Sequence, residues 1–211
     1  MFCPMDGPDF SFETRLMAQG YPLIAGVDEV GRGPLAGPVT AAAVILDPKN
    51  IPDGLNDSKK LTAKRRETLY ELIISSSKVA VVHVPVEEID RINILQASLL
   101  AMRNAVAALI PQPAYLLIDG NRLPDPIHIP AQPIVKGDSK SLSIAAASIV
   151  AKTVRDRLMC DLARQNPGYG WEKNAGYPSK QHILALQRLG VTPHHRRSFR
   201  PVHNILYQEN K

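Results

Sequence analysis

Four acidic residues could together perform metal-dependent chemistry on a phosphodiester. Asp28 and Glu29 end one apolar run, Asp119 ends another, and Asp138 lies in the turn KGDSKS. Carboxylate oxygens are ligands that Mg²⁺ and Mn²⁺ prefer. Two such ions about 3.5 to 4 Å apart can activate water and stabilise a leaving 3′ oxygen. Four acids that lie this close would otherwise repel one another and raise one another's pKa values, so cations are their natural partners.

A glycine-rich loop follows the first pair of acids. Residues 31–33 read Gly-Arg-Gly, and glycine lets a backbone approach a ligand closely because it has no side chain. Backbone amides and one guanidinium could therefore reach a sugar-phosphate chain beside the metal ligands.

The hydrophobic pattern predicts the elements that must position these groups. Strands are predicted over residues 22–30, 38–46, 78–86, 114–120 and 127–136, of which the first two form a hairpin. Helices are predicted over residues 62–77, 93–110, 141–163 and 179–189, with Thr62 as an N-cap and Gly190 at the last end. This order predicts an α/β fold, a mixed β-sheet flanked by helices, with a carboxyl-terminal helical appendage.

The predicted strands place Asp28 and Asp119 together but do not decide the positions of the other acids. Asp28 and Asp119 both end strands, and open α/β sheets bind ligands beyond the carboxyl ends of their strands. Consecutive strand residues point to opposite faces, so Glu29 can share a site with Asp28 only if the strand bends or ends there. Asp138 could cap the following helix or turn toward a metal. Asp156 is a rival fourth ligand, but it lies roughly 22 Å along that helix from the turn.

Composition indicates an ordinary folded protein. The chain has 211 residues, of which 45% are hydrophobic and 21% charged. We expect a flexible amino-terminal extension over residues 1–18 and a single domain over 19–211, which includes a helical and basic segment from about residue 167. The start of the chain does not resemble a secretory signal, and no apolar run predicts a membrane span. We therefore expect a cytoplasmic monomer, and its two cysteines, Cys3 and Cys160, match no disulfide or zinc pattern.

The positive charge lies toward the carboxyl end. Residues 152–211 hold 11 lysines and arginines against 4 acids, whereas residues 1–151 hold 14 against 16. A positive region beside a separate acidic cluster is the pattern expected of a metal site that acts on a polyanion. A solvated basic surface is the alternative.

Seven blocks of sequence resemble bacterial ribonuclease HII, the type 2 ribonucleases H. They read DEVGRGPLAGPV (28–39), LNDSKKL (55–61), LIDGN (117–121), VKGDSKS (135–141), AAASIVAKTVRDRLM (145–159), GYP (176–178) and HHRRSF (194–199). The resemblance covers roughly residues 20–205. It implies a ribonuclease H-like fold and an endonuclease that cleaves the RNA strand of RNA–DNA hybrids. It also implies incision 5′ of single ribonucleotides in duplex DNA, with 5′-phosphate and 3′-hydroxyl ends and a role in replication and repair.

The resemblance also implies a role for each matching residue. Asp28, Glu29, Asp119 and Asp138 would be the catalytic carboxylates, and the first three would bind Mg²⁺ or Mn²⁺. Gly31, Arg32 and Gly33 would read the 2′-hydroxyl, which distinguishes RNA from DNA, and hold the scissile phosphate. Tyr177 would lie against the sugar at the RNA–DNA junction. Candidate phosphate contacts are Lys59, Lys60, Lys136, Arg196 and Arg197.

One segment departs from the family pattern, and several alternatives stay open. Family members commonly carry a histidine shortly before the GYP block, where this chain has Asn174 and Ala175. His194 and His195 suggest a zinc site, although they lack a cysteine or carboxylate partner. The glycine-containing loops superficially resemble those of a phosphotransferase, but no P-loop ending is present. A nucleic-acid-binding module without catalysis is the second alternative, and the intact set of four acids argues against it.

Overall fold

The structure is a computed structural model that describes residues 7–207, and its centre is a mixed five-stranded β-sheet. The strands are β1 (Ile24–Val30), β2 (Val39–Ile45), β3 (Lys78–Val84), β4 (Tyr115–Asp119) and β5 (Ala131–Ile134). Their order is β3-β2-β1-β4-β5. Strands β1, β2 and β3 pair antiparallel, which confirms the predicted hairpin, whereas β4 pairs parallel with β1 and with β5. Strand β5 is shorter than the predicted 127–136, and at its carboxyl end it stops before Lys136, whose backbone is left-handed at φ 56°.

The helices include every one that the sequence predicts. They are α1 (Ser11–Ala18), α2 (Ala63–Ser76), α3 (Val86–Ala107), α4 (Leu142–Gln165), α5 (Trp171–Asn174), α6 (Lys180–Leu189) and α7 (Arg200–Tyr207). Thr62 caps α2 as expected, because its hydroxyl accepts a hydrogen bond from the Arg65 N–H at 3.2 Å. Within residues 7–207, no helix is both long and apolar enough to cross a membrane.

Helix α3 begins seven residues before its predicted start. It is two helical pieces joined at Asn93, whose backbone has φ 67° and ψ 163°. The Asn93 Oδ1 accepts hydrogen bonds from the N–H groups of Leu95 and Gln96, so this residue caps the second piece. The apolar pattern predicts only that second piece, because the first is rich in charged residues.

The amino-terminal segment differs from the expected flexible extension. Residues 1–6 lie outside the described residues, but residues 11–18 form α1, in which Glu13 and Leu16 are buried. Leu16 packs with Ile24, Leu117 and Ile144. Residues 11–18 therefore belong to the packed fold, because they cover apolar side chains of the sheet and of α4.

Helices cover both faces of the sheet and build a further cluster at the carboxyl end. Helix α3 packs on one face, and α2 and α4 pack on the other. Helix α4 lies so close to β1 that a Cβ at Gly26 would be 2.0 Å from the backbone of Ser143. Helices α5, α6 and α7 enclose a separate core around Trp171, Leu186 and Val202. The predicted mixed sheet, flanking helices and carboxyl-terminal helical appendage are thus confirmed.

Candidate active site

The ends of strands β1 and β4 bring three of the predicted carboxylates together. The parallel pairing of these strands ends at Val27 and Ile118, so the next residues, Asp28 and Asp119, lie side by side at its carboxyl end. Each of them still pairs with its other neighbouring strand, β2 or β5. Carboxylate oxygens of Asp28, Glu29 and Asp119 all lie within 4.8 Å of one another. The sequence left open whether Glu29 could join Asp28, and here it does so where β1 ends before Gly31.

Asp28 is the most enclosed of the three acids. Only 5% of its surface is exposed, and its Oδ1 accepts a hydrogen bond from the Glu29 N–H at 2.7 Å. Burial raises the pKa of Asp28 well above its usual range, and the charges of Glu29 and Asp119 raise it further. A hydrogen bond from Ser148 opposes this rise. A bound cation would relieve the same repulsion that raises the pKa.

Glu29 lies between the other acids and the glycine loop. Burial raises its pKa to about 7, while the Arg32 guanidinium acts in the opposite direction. The Arg32 Nη1 lies 3.4 Å from Glu29 Oε1. Half of the Arg32 side chain is exposed, so most of its donors remain available to a ligand.

Asp138 lies beside the three acids and does not belong to their cluster. The preceding residue, Gly137, donates its N–H to Asp119 Oδ1 at 2.6 Å, which ties the Asp138 turn to the strand end. Burial raises the pKa of Asp138, and the charges of Asp57 and Asp119 add to the effect. The Lys59 Nζ lies 3.9 Å from Asp138 Oδ2. Asp57, which lies within the LNDSKKL block, was not among the predicted site residues.

The donor set fits Mg²⁺ or Mn²⁺. It offers oxygen atoms alone, from closely spaced acids of which the central one is buried, and hard divalent cations prefer such oxygens. Asp156, the rival fourth ligand, is directed elsewhere: it pairs with Lys152 at 2.7 Å and Arg66 at 3.8 Å. Asp138, in contrast, lies close enough to the cluster for the charge of Asp119 to raise its pKa.

The glycine loop lies against Tyr177. A Cβ at Gly33 would be 3.3 Å from the Tyr177 ring, and Gly31 has φ +93°, which favours glycine. Tyr177 is 41% exposed, and Gly33 is exposed beside it. Arg32, Gly33 and the ring therefore form one accessible surface next to the acids, whereas Gly31 is buried against Arg155. A cleft of about 290 Å³ continues from Glu29 and Asp119 toward Arg122 and helix α3.

Two buried arginines support the backbone beneath this surface. Their structural role was not predicted from the sequence. Arg196 donates to the carbonyl oxygens of Gly31 at 2.6 Å, Arg32 at 3.1 Å and Gly37 at 2.8 Å. Arg155 donates to Ala36 at 3.1 Å and to Ala175 at 2.9 Å, one residue before the turn that carries Tyr177. Arg196 has no exposed surface. The prediction that Arg196 contacts phosphate is therefore wrong, because its donors are committed to backbone carbonyls.

The other predicted basic contacts lie at the surface. Lys59, Lys60, Lys136 and Arg197 are all exposed. Carboxylates dominate the surroundings of Lys59: burial lowers its pKa, but the charges of Asp57, Asp28 and Asp138 more than offset this and raise it. Lys59 is thus the lysine nearest to the acids, and it is charged.

Asn174 and His195 have structural partners. The Asn174 side chain donates to the Tyr169 carbonyl at 2.9 Å and accepts from the Gly176 N–H at 2.8 Å. The departure at this position therefore fixes the turn before Tyr177. His195 is buried, and its two ring nitrogens contact His182 at 3.1 Å and the Thr192 N–H at 3.0 Å. Neither nitrogen is free for the zinc site suggested by the sequence.

Known proteins share both the sequence and the arrangement of elements. The family model for ribonuclease HII matches residues 25–202. The chain belongs to the ribonuclease HII family. It is 68% identical to ribonuclease HII from Ruegeria sp. (strain TM1040), over 97% of this chain and 90% of that protein. It is 62% identical to ribonuclease HII from Paracoccus denitrificans, over 97% of this chain and 98% of the relative.

A solved structure agrees with this assignment. Ribonuclease H2 from Pyrococcus horikoshii OT3 matches with a TM-score of 0.74 and 28% identity, over 89% of this chain and all of that chain. The resemblance recognised from the seven sequence blocks is thereby confirmed. The protein is an enzyme, a ribonuclease H.

Proposed function

We propose that this ribonuclease HII is an endonuclease that hydrolyses the RNA strand of RNA–DNA hybrids and incises duplex DNA 5′ of single ribonucleotides. The observation that carries the proposal is the three-acid cluster beside the exposed Arg32 and Gly33 of the glycine loop and the Tyr177 ring. The acids suit cations, and the loop and ring suit a sugar-phosphate backbone. Products would carry 5′-phosphate and 3′-hydroxyl ends, as expected of ribonucleotide removal during replication and repair.

Asp28, Glu29 and Asp119 would hold the metal, with Asp138 alongside. Two divalent cations, Mg²⁺ or Mn²⁺, would supply Lewis-acid activation of water and neutralise charge on the leaving 3′ oxygen. The chain itself orients the ligands. Asp119 is fixed by the Gly137 N–H at 2.6 Å, and Asp28 by the Glu29 N–H at 2.7 Å.

The glycine loop would bind the scissile phosphate and read the ribose. Gly33 keeps the exposed part of the loop free of a side chain, and Gly31 leaves room for Arg155 beneath it. The partly exposed Arg32 can donate to phosphate oxygens. Hydrogen bonds to the 2′-hydroxyl would distinguish a ribonucleotide from a deoxyribonucleotide. Lys59 and Lys60 would contact neighbouring phosphates, where such contacts position the duplex without reading sequence.

The deciding experiment uses an end-labelled DNA duplex with one ribonucleotide. With Mg²⁺ we expect incision on the 5′ side of that ribonucleotide, and no incision in EDTA. Asp119→Asn keeps the oxygen that accepts from Gly137 but loses the charge, so we expect turnover to fall by more than about 100-fold. Asp156→Asn is the matched control, because Asp156 pairs with Lys152 outside the cluster, and it should cleave normally.

Other results of that experiment would contradict the proposal. Tight duplex binding without incision would favour a binding module without catalysis. Transfer of phosphate to or from an added nucleotide would favour a phosphotransferase. Equal cleavage by Asp119→Asn and the unaltered protein would remove the carboxylate cluster from the mechanism.

Tyr177 would test the sugar at the junction between RNA and DNA. The ring would contact one sugar, whereas many backbone contacts would hold the duplex, so its loss should disturb the placement of the junction more than the affinity for the duplex. We therefore expect Tyr177→Ala to cleave the single-ribonucleotide duplex about 10-fold more slowly while binding it normally, as measured by single-turnover kinetics and fluorescence anisotropy. An unchanged cleavage rate would exclude this role. A cytoplasmic location and a monomeric state remain predictions, the latter testable by analytical ultracentrifugation.

A further inference from the structure

Helix α1 carries a buried acid that lies outside the carboxylate cluster. Glu13 has no exposed surface. Its Oε1 accepts hydrogen bonds from the Ser141 hydroxyl at 2.6 Å and from the Ser143 N–H at 3.0 Å. Ser141 is the N-cap of α4, and Ser143 lies in its first turn, where backbone N–H groups have no partner within the helix and negative charge is favourable. Glu13 thus joins α1 to the start of α4.

The bonded path continues from Ser141 to the candidate metal ligands. The Ser141 N–H donates to the Gly137 carbonyl at 2.8 Å, and the Gly137 N–H donates to Asp119 Oδ1 at 2.6 Å. Asp138 lies inside this turn, between Gly137 and Ser141. Hydrogen bonds therefore connect Glu13 to Asp119, an acid of the cluster, through two intervening residues, Ser141 and Gly137.

A second contact fastens the same turn from the same side. The Asp9 N–H donates to the Lys140 carbonyl at 3.2 Å, and the Leu142 N–H donates to the Asp9 carbonyl at 3.1 Å. These two bonds bracket Ser141. Below them, Leu16 packs against Ile144 of α4. The Asp9 backbone thus fastens the turn on both sides of Ser141, whereas Leu16 contributes only apolar packing.

The turn needs such support because its backbone is constrained. Lys136 has φ 56°, a left-handed conformation that is uncommon outside glycine. A Cβ at Gly137 would be 2.5 Å from the Ile144 side chain and 3.2 Å from Asp119 Oδ1. Conformations of this kind persist when the surrounding structure holds them in place. A small displacement of Gly137 would move the donor that orients Asp119.

We infer that Glu13 is a positioning residue for Asp119 and Asp138, because it fastens the turn that carries Asp138 and orients Asp119. This inference rests on the proposed metal-binding role of those two acids. Glu13 contacts neither metal nor substrate and acts through Ser141 and Gly137. Residues that orient metal ligands in this way commonly change metal affinity or activity by about 10- to 100-fold.

The test compares three variants in metal binding and stability. Glu13→Ala removes the acceptor, Glu13→Gln keeps an oxygen that can accept from Ser141 and Ser143, and Leu16→Ala weakens α1 packing without touching either bond. Mn²⁺ affinity of the substrate-free protein is measured by calorimetry, the Mg²⁺ concentration for half-maximal incision by kinetics, and the thermal midpoint by circular dichroism.

We expect Glu13→Ala to weaken both metal measures about 10-fold, and Glu13→Gln to restore most of the loss. Leu16→Ala should lower the thermal midpoint and leave metal affinity unchanged. If Glu13→Ala lowers only the midpoint, as Leu16→Ala does, Glu13 is a structural residue and the inference is overturned. If the unaltered protein neither binds Mn²⁺ nor incises, the proposed function fails instead, so the two failures are distinct.

Discussion

At the scale of single residues, the site is built from acids whose charge the fold disfavours. Burial is the main cause of the raised pKa values of Asp28, Glu29 and Asp138. A protein without metal therefore gains stability when these groups are neutral, and a protein with metal gains it when they are charged. The same atoms serve binding at a cost to the stability of the metal-free fold.

Glu29 allows that cost to be measured against pH. Its pKa is about 7 in the folded protein, against 4.5 as the ordinary value, so the folded state binds the extra proton between these limits. This contribution is fully present below about pH 4.5 and is lost as the pH rises through 7. Glu29→Gln carries no titrating charge. We expect the metal-free variant to exceed the unaltered protein by about 3 kcal/mol in unfolding free energy at pH 8.

The measurement is urea denaturation in EDTA from pH 4.5 to 8.5. The two stability curves should converge toward the acid end and separate with rising pH. Added Mg²⁺ should reverse the order, because it stabilises only the protein that binds it. Parallel curves would show that burial does not perturb Glu29.

At the scale of elements, the local sequence predicted the helices and strands that depend mainly on local interactions. Thr62, Ser141 and Ser179 cap the helices that follow them, and the apolar runs predicted strands whose ends bring Asp28 near Asp119. Helix α3 was mispredicted at Asn93, because a kink within a continuous helical pattern depends on how each piece packs. A sequence alone gives no sign that residues 86–92 and 94–107 lie in one bent element.

Substitutions at Asn93 measure how much this residue contributes to the stability of the kinked helix α3. Its Oδ1 caps the second piece through Leu95 and Gln96, and replacing such a cap with alanine costs about 1 kcal/mol. Asn93→Ala should therefore be about 1 kcal/mol less stable in urea denaturation. Asn93→Gly also loses the cap, but it relieves the strain of a side chain at φ 67°. We expect the glycine variant to be near neutral, and a loss equal to that of alanine would show that the backbone is unstrained.

At the scale of the whole molecule, distant segments meet around the glycine loop. Arg196 joins the carboxyl-terminal segment to Gly31 and Gly37, and Arg155 joins α4 to the turn before Tyr177. Sequence reasoning could identify the loop but not its supports. Charge is visible in a sequence and burial is not, so Arg196 was expected on a phosphate. Asp57 and Glu13 were not predicted either, because their partners, Asp138 and Ser141, lie far away along the chain.

The neighbouring residues Arg196 and Arg197 have different expected roles: Arg196 supports the glycine loop, whereas Arg197 could bind nucleic acid. Arg196 is buried, and burial lowers its pKa to about 9, whereas Arg197 is exposed. Arg196→Met would leave buried carbonyl oxygens without donors, so we expect a loss of about 3 kcal/mol in unfolding free energy. Arg197→Met should change stability by no more than about 0.5 kcal/mol. If Arg197 contacts a phosphate, its loss should reduce the slope of log affinity against log salt by about 1.

Both quantities can be measured without turnover. Urea denaturation gives the stability, and anisotropy of a labelled duplex in EDTA gives the salt dependence, with each substitution combined with Asp119→Asn to prevent cleavage. Folded Arg196→Met protein should bind the duplex more weakly at every salt concentration, with an unchanged slope. The substitution would displace the glycine loop but would remove no charge contact with a phosphate. A stable Arg196→Met protein with a reduced slope would place its guanidinium on the nucleic acid, contrary to its hydrogen bonds with Gly31 and Gly37.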